Sequence, residues 1–149
     1  LEPGPEFDVR RARERWYRYL LFPLGGTGEE EPWAVLDLEA MRAAARLFEG
    51  YHNLSMFSRV EPHRTPWRRV HAVEVSVERS DTFPWMKGLI VDVRGESFLW
   101  NMVRRMAAAL LEVGRGSMTA DDVEMLLSSG ERKKAGLKRA RKAPQYTKR

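Results

Sequence analysis

Phe98-Leu99-Trp100-Asn101-Met102-Val103-Arg104-Arg105 is the stretch on which the fold turns. At about 100° per residue from Phe98, Leu99, Met102, Val103, Met106, Leu110 and Val113 gather on one side. That stripe predicts an amphipathic helix from Phe98 to Val113, ended by Gly114. Asn101, Arg105 and Glu112 share the opposite, solvated side. Arg104 belongs to neither. It falls beside Trp100, Ala107 and Leu111, on a second apolar flank. A guanidinium there keeps its proton and needs a carboxylate, a phosphate or a carbonyl cluster, unless it snorkels to water or pairs with a local Glu.

Upstream of this helix, two alternating runs read as strands. Val73, Val75 and Val77 alternate with polar residues in Val70 to Glu78, and Leu89, Val91 and Val93 share a face in Gly88 to Arg94 while Asp92 and Arg94 point away. The connector around Asp81 and Pro84 makes them an antiparallel pair. An earlier strand, Arg15 to Phe22, carries Arg15, Tyr17, Tyr19 and Leu21 on one face and Trp16, Arg18, Leu20 and Phe22 on the other. Between strands, Asp37 caps a helix through Phe48, with Leu38, Met41, Ala45 and Phe48 as its stripe and Gly50 closing it. Tyr51 to Arg69 reads as a long irregular loop, which in a compact domain points to function or a linker. Thr119 and Asp122 form a capping box, and Met118 and Val123 a staple, for a last helix stopping before Gly130. The order strand, helix, strand, strand, helix, helix predicts an α+β fold, a mainly antiparallel sheet with helices packed on one face. Residues 1–6 read as a lead-in, the Gly-rich acidic loop over 25–32 lacks the context of a phosphate-binding loop, and residues 131–149 read as a frayed basic tail.

The chain is 149 residues, 43% hydrophobic and 32% charged, which is one soluble globular domain rather than a disordered segment. It has no apolar run of membrane-spanning length and no signal-peptide pattern, so an intracellular location is expected. With no Cys there is neither a disulfide framework nor a thiolate metal site. The three histidines, His52, His63 and His71, lack a helical ligand spacing, and no metal is expected. The net charge of +5 favours an anionic partner, nucleic acid first. In the long loop, Arg59, Arg64, Arg68 and Arg69 interleave with Phe57, Pro66 and Trp67, so that cations for phosphates alternate with rings for unpaired bases. The alternative is that the rings anchor the loop in the core and the arginines face water. Arg15, Tyr17 and Tyr19 offer a cation and two phenols from one strand face, a base-stacking platform or else half-buried packing.

These residues also carry a resemblance. Arg15-x-Tyr17-x-Tyr19, Gly50-x-His52-Asn53-x-x-x-Phe57, Arg64-Thr65-Pro66-Trp67-Arg68-x-Val70, Phe98-Leu99-x-x-Met102-Val103-Arg104 and Leu111-x-Val113-Gly114 occur in one order. Together they resemble the C-terminal half of the TruA-type tRNA pseudouridine synthases, from about Phe7 to Leu127. The resemblance implies isomerisation of uridine to pseudouridine in the tRNA anticodon stem-loop, without metal or organic cofactor, by a cytoplasmic homodimer. It implies that an aspartate attacks the target nucleotide, the glycosidic bond breaks, and the flipped base rotates and rejoins through carbon. Tyr17 matches the active-site tyrosine that stacks on the target base and is a candidate for proton transfer. Arg104 matches the basic residue paired with the catalytic aspartate, which would give the guanidinium a buried anion as partner. Arg15, His52, Arg59, Arg64 and Arg68 are the expected RNA contacts.

Three departures stand out. No Arg-Thr-Asp-Ala-Gly-Val-like motif carrying the aspartate occurs in these residues. His52-Asn53-Leu54 stands where the family usually has His-Asp-Phe, and Ala143-Pro144 is followed by Gln145-Tyr146-Thr147-Lys148-Arg149 rather than a Gly-Leu-x-Leu strand. The expectation is therefore a single C-terminal domain or fragment of a synthase, inactive alone, whose nucleophile sits on a missing N-terminal domain. The alternatives are a non-catalytic RNA-binding module and a dimerisation or scaffold domain whose charge is incidental.

Overall fold

The structure, a computed structural model, describes residues 13–21, 35–79, 81–82 and 87–140, the last ten by backbone alone. Phe22, the lead-in, the acidic loop over 25–32, Pro84 and the residues after 140 lie outside the described residues. The elements run β1 (Arg15–Leu21), α1 (Leu38–Leu47), β2 (Gly50–Asn53), a short 3-10 turn (Ser55–Phe57), β3 (Trp67–Arg79), β4 (Lys87–Gly95), α2 (Met102–Arg115) and α3 (Ala120–Ala140). The strands form one sheet in the order β1-β4-β3-β2, every neighbouring pair antiparallel. This is the α+β arrangement that the element order predicts.

Alternation explains where the core sits. The register places Val73 opposite Val93, Val75 opposite Val91 and Val77 opposite Leu89, so one sheet face is a continuous aliphatic surface. Met41, Ala44, Ala45 and Phe48 of α1, Met102, Met106, Leu110 and Val113 of α2, and Val123 and Leu127 of α3 complete that core. Tyr19 and Leu21 pack against it from β1. Capping sets the helix starts. Asp37 Oδ1 accepts from the Ala40 N–H at 3.0 Å, and Thr119 and Asp122 exchange side-chain and backbone bonds at 2.8 and 3.2 Å. Both caps are the ones the sequence predicts.

Five boundaries differ from expectation. The segment 51–69 is not wholly irregular, because Gly50–Asn53 pairs with Trp67–Val70 as an edge strand too short to show a period. Strand β3 begins at Trp67 rather than Val70, and an irregularity between Val70 and Ala72 puts Val70 and Val73 both in the core. Helix α2 begins at Met102, not Phe98. Asn101 has φ 60, a left-handed conformation that Asn tolerates and a helix does not, so Phe98 to Asn101 form a separate turn. It ends at Arg115, where Gly116 at φ 83 lets its N–H reach the Glu112 and Val113 carbonyls.

Finally, α3 runs through Gly130 instead of stopping before it. Gly130 lies against β2: a Cβ there would meet the Asn53 backbone O at 2.9 Å and Asn53 Oδ1 at 3.0 Å. Glycine is kept mid-helix by this close approach rather than by a turn. Ala favours a helix over Gly by about 1 kcal/mol, yet Gly130→Ala should lower stability by about 1–3 kcal/mol through overpacking against backbone. A drop in the denaturant midpoint checks this; a rise would show that the helix stands off β2.

Candidate functional site

Tyr17 lies on the helix-covered face of β1, opposite Val93, but beyond the packed core. Its neighbours hold it there from the other face. Trp16 Nε1 donates to Asp92 Oδ1 at 3.0 Å, and Arg18 Nε donates to the same oxygen at 2.9 Å. Asp92, only 7% exposed, thus ties both residues flanking Tyr17 to β4. The Arg18 guanidinium is raised from its ordinary value mainly by that hydrogen bond. The Tyr17 ring rests edge-on against Phe98, centroids 4.8 Å apart at 77°, and stays 49% exposed. One side of the phenol is fixed by an aromatic contact and the rest is accessible.

After β4 the chain turns through Phe98–Asn101 into α2. The Arg59 N–H donates to the Trp100 carbonyl at 3.1 Å, pinning the loop between β2 and β3 to this turn. The first turn of α2 buries Met102 and exposes Arg104. Tyr17, Arg59, Glu61, Arg64 and the segment from Phe98 to Arg104 together line one cleft of about 750 Å³. Three guanidiniums face one carboxylate among these residues, so the cleft is cationic. Arg104 stands in the first turn of α2, whose dipole adds to the field felt by an anion. Among the described residues no ion pair holds Arg104.

Arg104 therefore sits differently from the wheel projection. Because α2 starts at Met102, Trp100 is not on the same helix face, and the side chain opens to the cleft rather than lying on an apolar flank with a buried anion. Of the seven candidate residues, the structure brings Tyr17, Arg104, Arg59 and Arg64 together. Arg15, His52 and Arg68 do not line the cleft. Arg15 lies half-buried on the face of Tyr17, opposite Gly95. His52 Nε2 hydrogen-bonds the Glu49 carbonyl at 2.8 Å.

Arg68 is the largest departure from a phosphate-reaching side chain. It is 7% exposed, and its Nη1 donates to the Thr65 and Trp67 carbonyls at 2.6 Å each. Burial first, and then the Arg64 charge, lower the guanidinium from its ordinary value. It braces the turn that delivers Arg64. Tyr19 also leaves the proposed stacking platform, because it packs on the core. Phe57 is buried at 3% against Phe48, a core anchor of the loop. Asn53, where the family pattern has an acid, is 1% exposed and accepts the Ser55 N–H at 3.1 Å, away from the cleft.

Glu61, Phe98, Trp100 and Asn101 are cleft residues that the sequence did not single out as site residues. Asn101, which tolerates a left-handed backbone, was the one local signal that a turn rather than a helix exposes Trp100. Among the described residues no cluster of His, Asp and Glu could hold a metal ion.

An antiparallel sheet packed with helices, with a phenol and a guanidinium lining one cationic, partly aromatic cleft, defines an α+β domain whose cleft suits an anionic ligand. The sequence model of the tRNA pseudouridine synthases matches residues 44–149. The chain is 42% identical over 123 residues to tRNA pseudouridine synthase A of Thermococcus kodakarensis, covering 83% of this chain and 40% of that protein. It is 36% identical over 144 residues to tRNA pseudouridine synthase A of Pelobacter propionicus, covering 91% and 56%. A third relative, from Methanothermobacter thermautotrophicus, is 42% identical over 126 residues, covering 85% and 40%. The chain belongs to the tRNA pseudouridine synthase family, and it spans about half the length, or less, of these curated relatives. No described helix is long and apolar enough to cross a membrane.

Proposed function

We propose that this chain supplies one wall of the active site of an enzyme that converts uridine to pseudouridine in the tRNA anticodon stem-loop. The convergence of Tyr17 from β1 and Arg104 from α2 on one cationic cleft carries this reading. Arg59 and Arg64 engage phosphates, and the target base leaves its stack to lie against Tyr17. Arg104 pairs with a nucleophilic aspartate from a preceding N-terminal domain and keeps that carboxylate ionised. The bond from C1′ to N1 breaks with its electron pair left on the base, the base turns, a C1′–C5 bond forms, C5 gives up its proton and N1 takes one, so the product is an isomer. Tyr17 is the candidate for moving the C5 proton. No step calls for a metal or organic cofactor. The compartment is the cytoplasm, and the working unit is a homodimer.

Loss of the C5 proton gives the direct test. Full-length protein incubated with a tRNA transcript carrying tritium at uridine C5 should release tritium, with the product mapping to the anticodon stem-loop. Salt-dependent tRNA retention with no release would instead favour a non-catalytic RNA-binding module, for which the cationic cleft would also serve. Absence of any tRNA affinity would leave only a scaffold role.

Phosphate contact by the cleft cations has its own signature. Arg64→Ala should weaken tRNA binding uniformly across sequences and reduce the salt slope of log K by about 1. An unchanged slope would place Arg64 off the RNA backbone. Arg68→Ala, by contrast, should act through loop stability, because its guanidinium faces carbonyls rather than solvent.

A further inference from the structure

We propose that Trp100, backed by Arg59, is a stacking shelf for an unpaired nucleobase beside the target uridine, a substrate-positioning contact distinct from Tyr17. The inference rests on the RNA reading of the cleft. It starts from a conflict between side chain and place. Leu99 is 4% exposed and Met102 is fully buried, yet Trp100 between them is 56% exposed and takes no part in the core. The left-handed Asn101 makes this possible, since it turns the chain so that the indole emerges while its neighbours go in. An indole left in water forgoes the burial that large aromatic side chains ordinarily supply, so an exposed one lining a cleft marks a contact surface.

The ring is also preorganised. The main-chain bond from the Arg59 N–H to the Trp100 carbonyl fixes its base, and the Arg59 guanidinium carbon lies 4.9 Å from the ring centroid. Arg59, Arg64 and Arg104 against Glu61 leave the cleft positive, which fits a polyanion that carries flat π faces. A volume of about 750 Å³ exceeds what one flat base fills. The target base lies by Tyr17 and Phe98, so the Trp100 end of the cleft is left for a neighbour on the strand. Stacking accepts every base, with purines favoured by their larger face.

The test uses full-length wild-type, Trp100→Ala and Trp100→Phe proteins. The probes are an intact anticodon-bearing tRNA transcript and a set in which single loop nucleotides are made abasic. Trp100→Ala should raise both Kd and KM by roughly 5- to 150-fold, with kcat changed less than about threefold. Trp100→Phe should recover most of this. At one loop position the abasic change should weaken wild-type binding and have no further effect on Trp100→Ala, the non-additivity of partners in contact. Full additivity at every position, or an unchanged Kd in Trp100→Ala, would overturn the shelf. If Trp100→Ala does not fold, the same cycle run with Trp100→Gln, which removes the aromatic face but keeps a polar side chain at this exposed position, decides the matter. Binding is read apart from turnover. A wild type that binds without releasing tritium overturns the enzymatic reading alone, and one that binds no tRNA overturns both.

Discussion

Arg104→Ala in the full-length protein is expected to lower kcat/KM for pseudouridine formation by about a hundred- to ten-thousandfold while leaving the fold intact. The second half of that expectation follows from geometry. Arg104 is exposed on the first turn of α2, and among the described residues no ion pair depends on it. Removing it empties no core position and strands no buried partner. The first half follows from electrostatics. A carboxylate approaching the cleft from another segment would lose its nearest fixed cation, and with it both its orientation and its preference for the charged state. A cation lowers a carboxylate's pKa, so its removal raises that pKa and should move the acid limb of the pH–rate profile to higher pH. Arg104→Lys should recover little, because a point charge cannot make the two parallel bonds of the guanidinium fork. Near-wild-type turnover in Arg104→Ala, measured by tritium release, would remove Arg104 from the reaction.

Tyr17→Phe separates the ring from its hydroxyl. The phenyl ring keeps the edge-on contact with Phe98, and Trp16 and Arg18 still anchor β1 through Asp92. Stability and tRNA affinity should therefore stay close to wild type. If the hydroxyl moves a proton in the rate-limiting step, kcat should fall by about a hundred- to ten-thousandfold, with KM nearly unchanged. Tyr17→Ala would add a loss of affinity as the ring goes too. A kcat within a few-fold of wild type in Tyr17→Phe would restrict Tyr17 to stacking. Equal losses in kcat and affinity would point to a displaced strand, detectable as a lowered Tm.

Part of the candidate site was legible in the residues, because Tyr17 and the residues that anchor it belong to strands with a clear two-residue period. The alternation in β1 put Tyr17 on the face of Tyr19 and Leu21, and β4 showed Asp92 pointing the other way; both hold. Whether a side chain on a given face is covered is a different matter. Tyr19 sits under the helices and Tyr17 just past them, two residues apart on one face. Arg68 and Arg64 looked equivalent, yet one is clamped to carbonyls and the other lines the cleft. No local pattern distinguishes them, since the difference is made by the path of the chain between β2 and β3.

The amino-acid pattern alone determined the α+β class, the antiparallel β3–β4 pair and the N-terminal caps of α1 and α3. Hydrophobic period and hydrogen-bonding caps are short-range, so they survive in one dimension. Tertiary structure decided the start of α2 at Met102, the exposure of Trp100, the passage of α3 through Gly130 and the retreat of Arg68. The first three involve contacts between segments distant in sequence, Arg59 on Trp100 and Gly130 on Asn53, whereas Arg68 turns back onto the carbonyls of its own loop. Such contacts outweigh local propensity because they fix buried backbone groups, and helix preferences of about 1 kcal/mol or less do not compete with them.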